Sequence, residues 1–163
     1  MWKDGVTLWS DALENHSGLI AYNSRGSILF KMKQYSRAYD DFNRGIKAAY
    51  EEKHVYKNKI YFPMDLLYTI INLADLQNAL GMREEAIASL EKAIELNPQY
   101  VVTYFKLGNI YYSRGENDKA IAFFKIAIEK DPNSAGAYYA LSTIYYGLGN
   151  KEESLMLFLR DCS

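Results

Sequence analysis

Apolar residues recur every three to four positions along most of this 163-residue chain, with polar residues between them, which is the pattern of amphipathic helices. The clearest case is residues 101–134, where two such stretches are separated by Gly115 and followed by Pro132. The apolar face of the first stretch comprises Tyr104, Leu107, Gly108 and Tyr111, and that of the second comprises Ala120, Phe124 and Ala127. Small residues on both faces let two helices approach closely, and Pro132 ends the second because it lacks a backbone donor. The segment therefore predicts a helix–turn–helix pair.

The same arrangement recurs at intervals of 34 residues, starting at residues 67 and 135, with a further unit offset to residue 19. It resembles the tetratricopeptide repeat (TPR) family, whose 34-residue unit has the spacing W-x2-L-G-x2-Y…A-x3-F…P. The resemblance extends over roughly residues 19 to 160. It implies an all-α fold, an α-solenoid of tandem helix–turn–helix repeats wound into a right-handed superhelix.

We expect one TPR array over residues 1–163, and its predicted parts follow in chain order. They are an orphan or capping helix at 1–18, repeat 1 at 19–52, an insert at 53–66, repeat 2 at 67–100, repeat 3 at 101–134 and a truncated repeat 4 at 135–163. The sequence of the first helix fits two interpretations equally well, the second helix of a preceding repeat and a simple capping helix. The insert is expected to be an overlong second helix and a short loop, with Pro63 in the first turn of the next helix. Asn15-His16-Ser17 matches a glycosylation sequon, but we interpret it as a turn.

Composition argues against several classes of partner. The formal net charge is −1, so no global attraction to nucleic acid or anionic lipid is expected. Lysines and aromatic residues alternate in the insert, as in surfaces that stack on single strands, but neighbouring carboxylates dilute the charge and we expect no nucleic-acid partner. No apolar run has the length of a membrane span, so the chain as given is expected to be soluble, without direct membrane insertion. The lone Cys162 allows no intrachain disulfide, and the compartment stays undetermined.

Residues suited to catalysis or metal binding are scarce. His16 and His54 are isolated, no H-x3-H or C-x2-C pair occurs, and no phosphate-binding loop is present in the sequence. The paired glutamates at 84–85 and 152–153 open second helices, where carboxylates suit the positive end of the helix. We therefore expect no enzymatic activity, no cofactor and no metal.

The helical period also predicts a binding surface, on the side of each first helix that faces away from its partner helix. In stacked TPR arrays this side is the concave wall, and here it is aromatic and amide-rich with little charge. The predicted peptide-binding residues are Asn72, Asp75, Phe105, Lys106, Asn109, Tyr112, Tyr139, Thr143 and Tyr146. The competing interpretation is that Phe105, Tyr112 and Tyr139 merely pack between adjacent first helices. Of the residues with which family members clamp a carboxylate tail, only Asn72 and loosely Lys106 match, so that clamp is not expected.

These patterns favour a non-catalytic protein–protein interaction module that binds a peptide or helix of a partner in a concave groove. The alternative is a scaffolding or regulatory appendage excised from a larger, membrane-embedded enzyme. Residues 2–13 resemble the W-K-x4-L-W-x2-A/T-L segment that precedes TPRs in O-mannosyltransferase-like membrane proteins. In that case the array would be an extramembrane domain.

Finally, the apolar run Leu155–Leu159 cannot all face inward on one helix, so self-association through the C-terminal helix is expected.

Overall fold

The computed structural model describes residues 5–15, 18–51, 54–56, 59–61 and 64–161, and it consists of two compact units, residues 1–96 and 97–163. The first unit contains α1 (Gly5–Asn15), α2 (Leu19–Lys31), α3 (Tyr35–Glu51), β1 (His54–Tyr56), β2 (Lys59–Tyr61), α4 (Met64–Ala79) and α5 (Arg83–Leu96). The second contains α6 (Val101–Ser113), α7 (Asn117–Lys130), α8 (Ala135–Gly147) and α9 (Lys151–Asp161). The predicted all-α fold is confirmed, with one short β-hairpin added to it.

The helices pack as hairpins, α2 with α3, α4 with α5, α6 with α7 and α8 with α9, while α1 packs on α2. Small residues mark the points of closest approach, since Ala38, Ala86 and Ala120 are all fully buried. At Gly108 the approach is closer still, because a Cβ there would lie 2.6 Å from Cε1 of Phe124. The glycine and alanine positions picked out in the sequence therefore set the spacing within each hairpin.

The turn after each first helix has the same geometry. At the end of α6, the N–H of Glu116 donates to the carbonyl of Tyr111 (3.0 Å) and that of Gly115 to the carbonyl of Tyr112 (2.9 Å). This is a Schellman motif, in which the residue after the helix is left-handed, and Gly115 has φ +75°. Gly81 and Gly149 have φ +79° and +85° at the corresponding positions, and Lys33 takes the same conformation with φ 59° in the first hairpin.

The second helices α5 and α7 end in turns that also repeat. Asn97 and Asp131 precede Pro98 and Pro132, and each accepts a hydrogen bond through its side chain from the N–H two residues on, at 3.0 Å. Asp131 is extended, with φ −136° and ψ 95°, as a residue before proline should be. The expected stop at Pro132 is confirmed, since α7 ends at Lys130.

The insert differs from its prediction. Helix α3 ends at Glu51, and β1 and β2 then pair antiparallel with His54 opposite Tyr61 and Tyr56 opposite Lys59. The expectation of an overlong helix followed by a loop was therefore wrong. Both strands are rich in β-branched and aromatic residues, which favour strands, whereas the sequence interpretation had weighed only their alternation with lysines.

Several predicted features lie outside the described residues. They are the turn at His16-Ser17, Pro63 at the start of α4, the residues from 2 to 4 of the membrane-protein-like segment, and Cys162 with Ser163. The exact repeat boundaries stay a prediction.

Candidate functional site

The site predicted in the second unit is built on two neighbouring first helices, α6 and α8. They meet where Phe105 lies against Gly136, so closely that a Cβ on Gly136 would be 3.3 Å from two carbons of the phenyl ring. The same ring is 5.6 Å from the ring of Phe124 on α7, measured between centroids. Phe105 is therefore half-buried and joins three helices, as the packing interpretation of this residue expected.

Beyond Phe105, the same sides of α6 and α8 carry largely exposed aromatic and polar residues, which we call the tyrosine face. It comprises Asn109, Tyr112, Tyr139, Thr143 and Tyr146. Tyr112, Tyr139 and Tyr146 are 45%, 60% and 67% exposed, and Asn109 and Thr143 are exposed among them. The hydroxyl of Thr143 donates to the carbonyl of Tyr139 at 2.9 Å, so it is tied to its own helix. Lys106 is half-buried and has an intramolecular interaction of its own.

The two site residues predicted in the first unit are both half-buried on α4. The amide Nδ2 of Asn72 donates to Oδ1 of Asn23 at 2.9 Å and to Oγ of Ser27 at 3.3 Å, which links α4 to α2. Asp75 also has an interaction within the chain. Asn72 thus has its donor group directed at neighbouring side chains, and its side chain also carries an oxygen that can accept a hydrogen bond.

Ionisable side chains cluster at the α6–α7 turn rather than on the tyrosine face. Lys119 lies 2.7 Å from Glu116 and 5.0 Å from the centroid of the Tyr111 ring, which stacks on Phe123. The hydrogen bond from Lys119 lowers the pKa of Glu116, and the same bond raises the pKa of Lys119. These shifts are accounted for by a local ion pair and give no sign of a catalytic group.

A second polar cluster lies inside the first unit, where Arg25 replaces the leucine of the repeat pattern. Its guanidinium donates through Nε and Nη2 to the two carboxylate oxygens of Asp41, each at 2.7 Å, and through Nη1 to Oγ of Ser10 at 3.2 Å. The hydrogen bond to Asp41 raises the pKa of Arg25 further above its ordinary value. The cluster links α1, α2 and α3 and accounts for a charged residue in an apolar slot.

Two grooves in the second unit were missed by reasoning on the sequence. One, of about 600 Å³, lies among α7, α8 and α9 and is lined by Lys125, Ile128, Tyr138, Leu141, Tyr145, Glu153, Met156 and Leu157. The other, which we call the end groove, has a volume of about 490 Å³ and lies between α8 and α9. It is lined by Ser142, Thr143, Tyr146, Lys151, Ser154, Leu155 and Phe158. The 34-residue register aligns the positions that line the end groove with those of the first hairpin, but only the tertiary structure shows that they are uncovered here.

Over the described residues, no group of three or more His, Cys, Asp or Glu side chains is placed to hold a metal ion. Within the same part of the chain, no helix is both long and apolar enough to cross a membrane.

Comparisons with solved structures show the same fold. MamA superposes with a TM-score of 0.77 at 21% identity, over 96% of this chain and 84% of the other. MamA from Desulfovibrio magneticus RS-1 gives 0.76 at 14% identity, over 96% and 81%. YrrB, described as a TPR protein with an unusual peptide-binding site, gives 0.67 at 23% identity, over 96% and 74%.

No curated protein matches the sequence significantly. Family models do match it, the TPR repeat over residues 74–113 and 108–149 and the tetratricopeptide repeat over residues 19–52. Together these ranges cover more than half of the chain, and the hairpins, turns and small-residue contacts described above are those that the repeat pattern requires. The chain belongs to the tetratricopeptide-repeat family.

Proposed function

We propose that the chain is a non-catalytic protein–protein interaction module that binds a peptide or helical segment of a partner on its first-helix surfaces. The observation that supports this most directly is the tyrosine face. Tyrosine is enriched at protein interfaces because one side chain supplies a large contact area and a hydrogen-bonding hydroxyl at a low cost in conformational entropy.

The tyrosine face also indicates what kind of segment it would take. Its five members are uncharged, and Asn109 has an amide that can donate to and accept from a peptide backbone at once. A ligand held by such a surface is recognised by its backbone and by apolar or aromatic side chains, rather than by its charge. We therefore expect an uncharged, partly apolar segment, and only a weak dependence of binding on salt concentration.

The test begins with a peptide selected from a displayed library against the whole chain. Its dissociation constant is then measured for the wild type and for Asn109→Ala and Tyr139→Ala. Each truncation should weaken binding by about 1 kcal/mol or more, with little change in melting temperature, because both side chains are exposed.

Glu129→Ala, an exposed position on α7, is the matched control. Equal weakening by Glu129→Ala and Tyr139→Ala, or no effect of the two variants of the tyrosine face, would contradict the assignment. The roles of Asn72, Asp75, Phe105 and Lys106 stay predictions, and Asn72→Ala tests the first of them with the same peptide.

The alternative function is a scaffolding or regulatory appendage of a larger, membrane-embedded enzyme of the glycosyltransferase type. It is supported by the sequence of residues 2–13, of which α1 contains residues 5–13. The parent gene tests it directly: hydrophobic spans encoded immediately upstream of Trp2 would favour the appendage, and a native start at Met1 together with a stop codon after Ser163 would contradict it.

A further inference from the structure

The end groove is an apolar surface that no described residue covers. Phe158 and Leu155 of α9 are 46% and 59% exposed there, although both are large apolar side chains. The floor is made by Ser142 and Ser154, whose hydroxyls lie 3.1 Å apart and each bond the carbonyl of the other residue. Because each hydroxyl donates to the backbone carbonyl of the other residue, the floor has its hydrogen bonds within the pair, and the surface left for an occupant is largely apolar.

The first hairpin shows what covers such a groove. Each residue of the end groove has a counterpart 116 residues earlier: Gly26, Ser27, Phe30, Tyr35, Ala38, Tyr39 and Phe42. Phe30, Tyr35, Ala38, Tyr39 and Phe42 belong to or pack against the core cluster that contains Leu73 and Leu76 of α4. Ser27 accepts the hydrogen bond from Asn72 of the same helix. The covering element in the first unit is therefore α4.

The exposure of the phenylalanine at one position of the hairpins depends strongly on whether another helix covers it. Phe42 is fully buried in the first hairpin, and Phe124, its counterpart in the α6–α7 hairpin, is fully buried as well. Phe158 occupies the same position in the α8–α9 hairpin and is nearly half exposed. The three phenylalanines occupy the same slot of their hairpins, so the difference lies in what packs on them.

The helices that provide cover share a pattern. In α4 it is Thr69-x3-Leu73-x2-Leu76, and in α8, which packs on α7, it is Ala137-x3-Leu141-x2-Ile144. All six of these residues are at most 6% exposed. A small residue at the first position allows close approach, and the two branched residues, one turn and two turns further on, fill the groove.

We propose that the end groove binds an amphipathic helix of a partner protein with the pattern Ala/Thr-x3-Leu-x2-Leu/Ile. A volume of about 490 Å³ is in the range of specific binding sites. A second copy of this chain is the alternative occupant, as expected for self-association through α9. It is less favoured because α4 and α8, which carry the pattern, already bury these residues. A second copy would have to unfold a hairpin to supply one.

The probe is a fluorescently labelled peptide with the sequence of residues 64–79, the helix that covers the corresponding groove in the first unit. Its binding to the whole chain is followed by fluorescence anisotropy. Phe158→Glu places a charge in the end groove and should weaken binding by about tenfold or more. Met156→Glu is the matched control, because Met156 is an exposed residue of the same helix that lines the other groove. It should leave affinity unchanged within about twofold.

Several outcomes would overturn the proposal. They are failure of the wild-type chain to bind the peptide, equal affinity for Phe158→Glu and the wild type, and undiminished affinity for a peptide carrying Leu73→Asp. Sedimentation of the chain without peptide tests the alternative occupant. If the wild type forms a dimer that is lost in Phe158→Glu but kept in Met156→Glu, a second copy fills the groove. Thr143 and Tyr146 border both this groove and the tyrosine face and are therefore not varied in either experiment.

Discussion

At the scale of single residues, glycine and alanine decide how close the helices of a hairpin can come. Gly108 is the tightest case in the second unit, since the ring of Phe124 occupies the space that a Cβ would need. Gly147, near the end of α8, has no atom within 4 Å of a Cβ placed there. Replacing each of the two glycines by alanine therefore separates the effect of a steric contact from the effect of the substitution on the backbone.

Gly108→Ala should lower the free energy of unfolding by about 1–3 kcal/mol, because either Phe124 or the helix spacing must shift. Gly147→Ala should be neutral, or stabilising by up to about 1 kcal/mol through its effect on the unfolded chain. Urea denaturation followed by circular dichroism measures both. A Gly108→Ala variant as stable as the wild type would mean that the contact with Phe124 relaxes at no cost.

At the scale of elements, polar clusters hold helices at positions where the repeat pattern has apolar residues. The Arg25–Asp41 pair is the best example, with side chains that are only 17% and 4% exposed. A pair of this kind contributes less to net stability than to orientation, because the desolvation of both charges offsets much of their attraction. Removing one partner alone leaves the other charge partly buried.

Asp41→Asn should therefore destabilise the chain by about 1–3 kcal/mol, because Arg25 loses its bidentate partner while staying mostly buried. The double variant Arg25→Leu, Asp41→Ala restores the leucine of the repeat pattern and removes both charges. It should recover most of the lost stability. Thermal unfolding of the three proteins checks this, and a double variant less stable than Asp41→Asn would show that the ion pair itself is required.

The turn between α6 and α7 gives a prediction about pH. The pKa of Glu116 is lowered in the folded chain, mainly by the hydrogen bond from Lys119. Its contribution to stability is therefore present above the ordinary carboxyl pKa of about 4.3 and is lost as the pH falls through the lowered folded value. Because Glu116 is a surface group, the effect should be small.

We expect wild type to melt at a higher temperature than Glu116→Gln near neutral pH, and the difference to vanish in acid. Differential scanning calorimetry across that range measures it, with Glu129→Gln on α7 as the control for removing a surface carboxylate. A difference that persists below the lowered pKa would point to a cause other than the charge on Glu116.

At the scale of the whole molecule, much of the fold could be predicted from the sequence. Helix positions, the turns at Gly115 and its counterparts, and the TPR family all follow from residue types at a 34-residue period. Close packing allows few alternatives at these positions: only small residues fit at the crossings, and glycine is strongly favoured at φ near +80°.

The candidate site was predicted less completely. The tyrosine face could be derived from the helical period, because a residue opposite the hairpin contact faces outward. The helical period could not predict that Phe105 is half-buried while the tyrosines are exposed, because the burial of Phe105 depends on Gly136 of a neighbouring helix. The same holds for Asn72, whose partners Asn23 and Ser27 lie 49 and 45 residues away in sequence.

Tertiary structure alone decided the filling of an apolar slot by Arg25 and the end groove. The charge of Arg25 is acceptable only because Asp41 and Ser10 reach it from two other helices. The end groove exists because α8 and α9 present positions that α4 covers in the first hairpin, and only burial in three dimensions distinguishes Phe158 from Phe42 and Phe124.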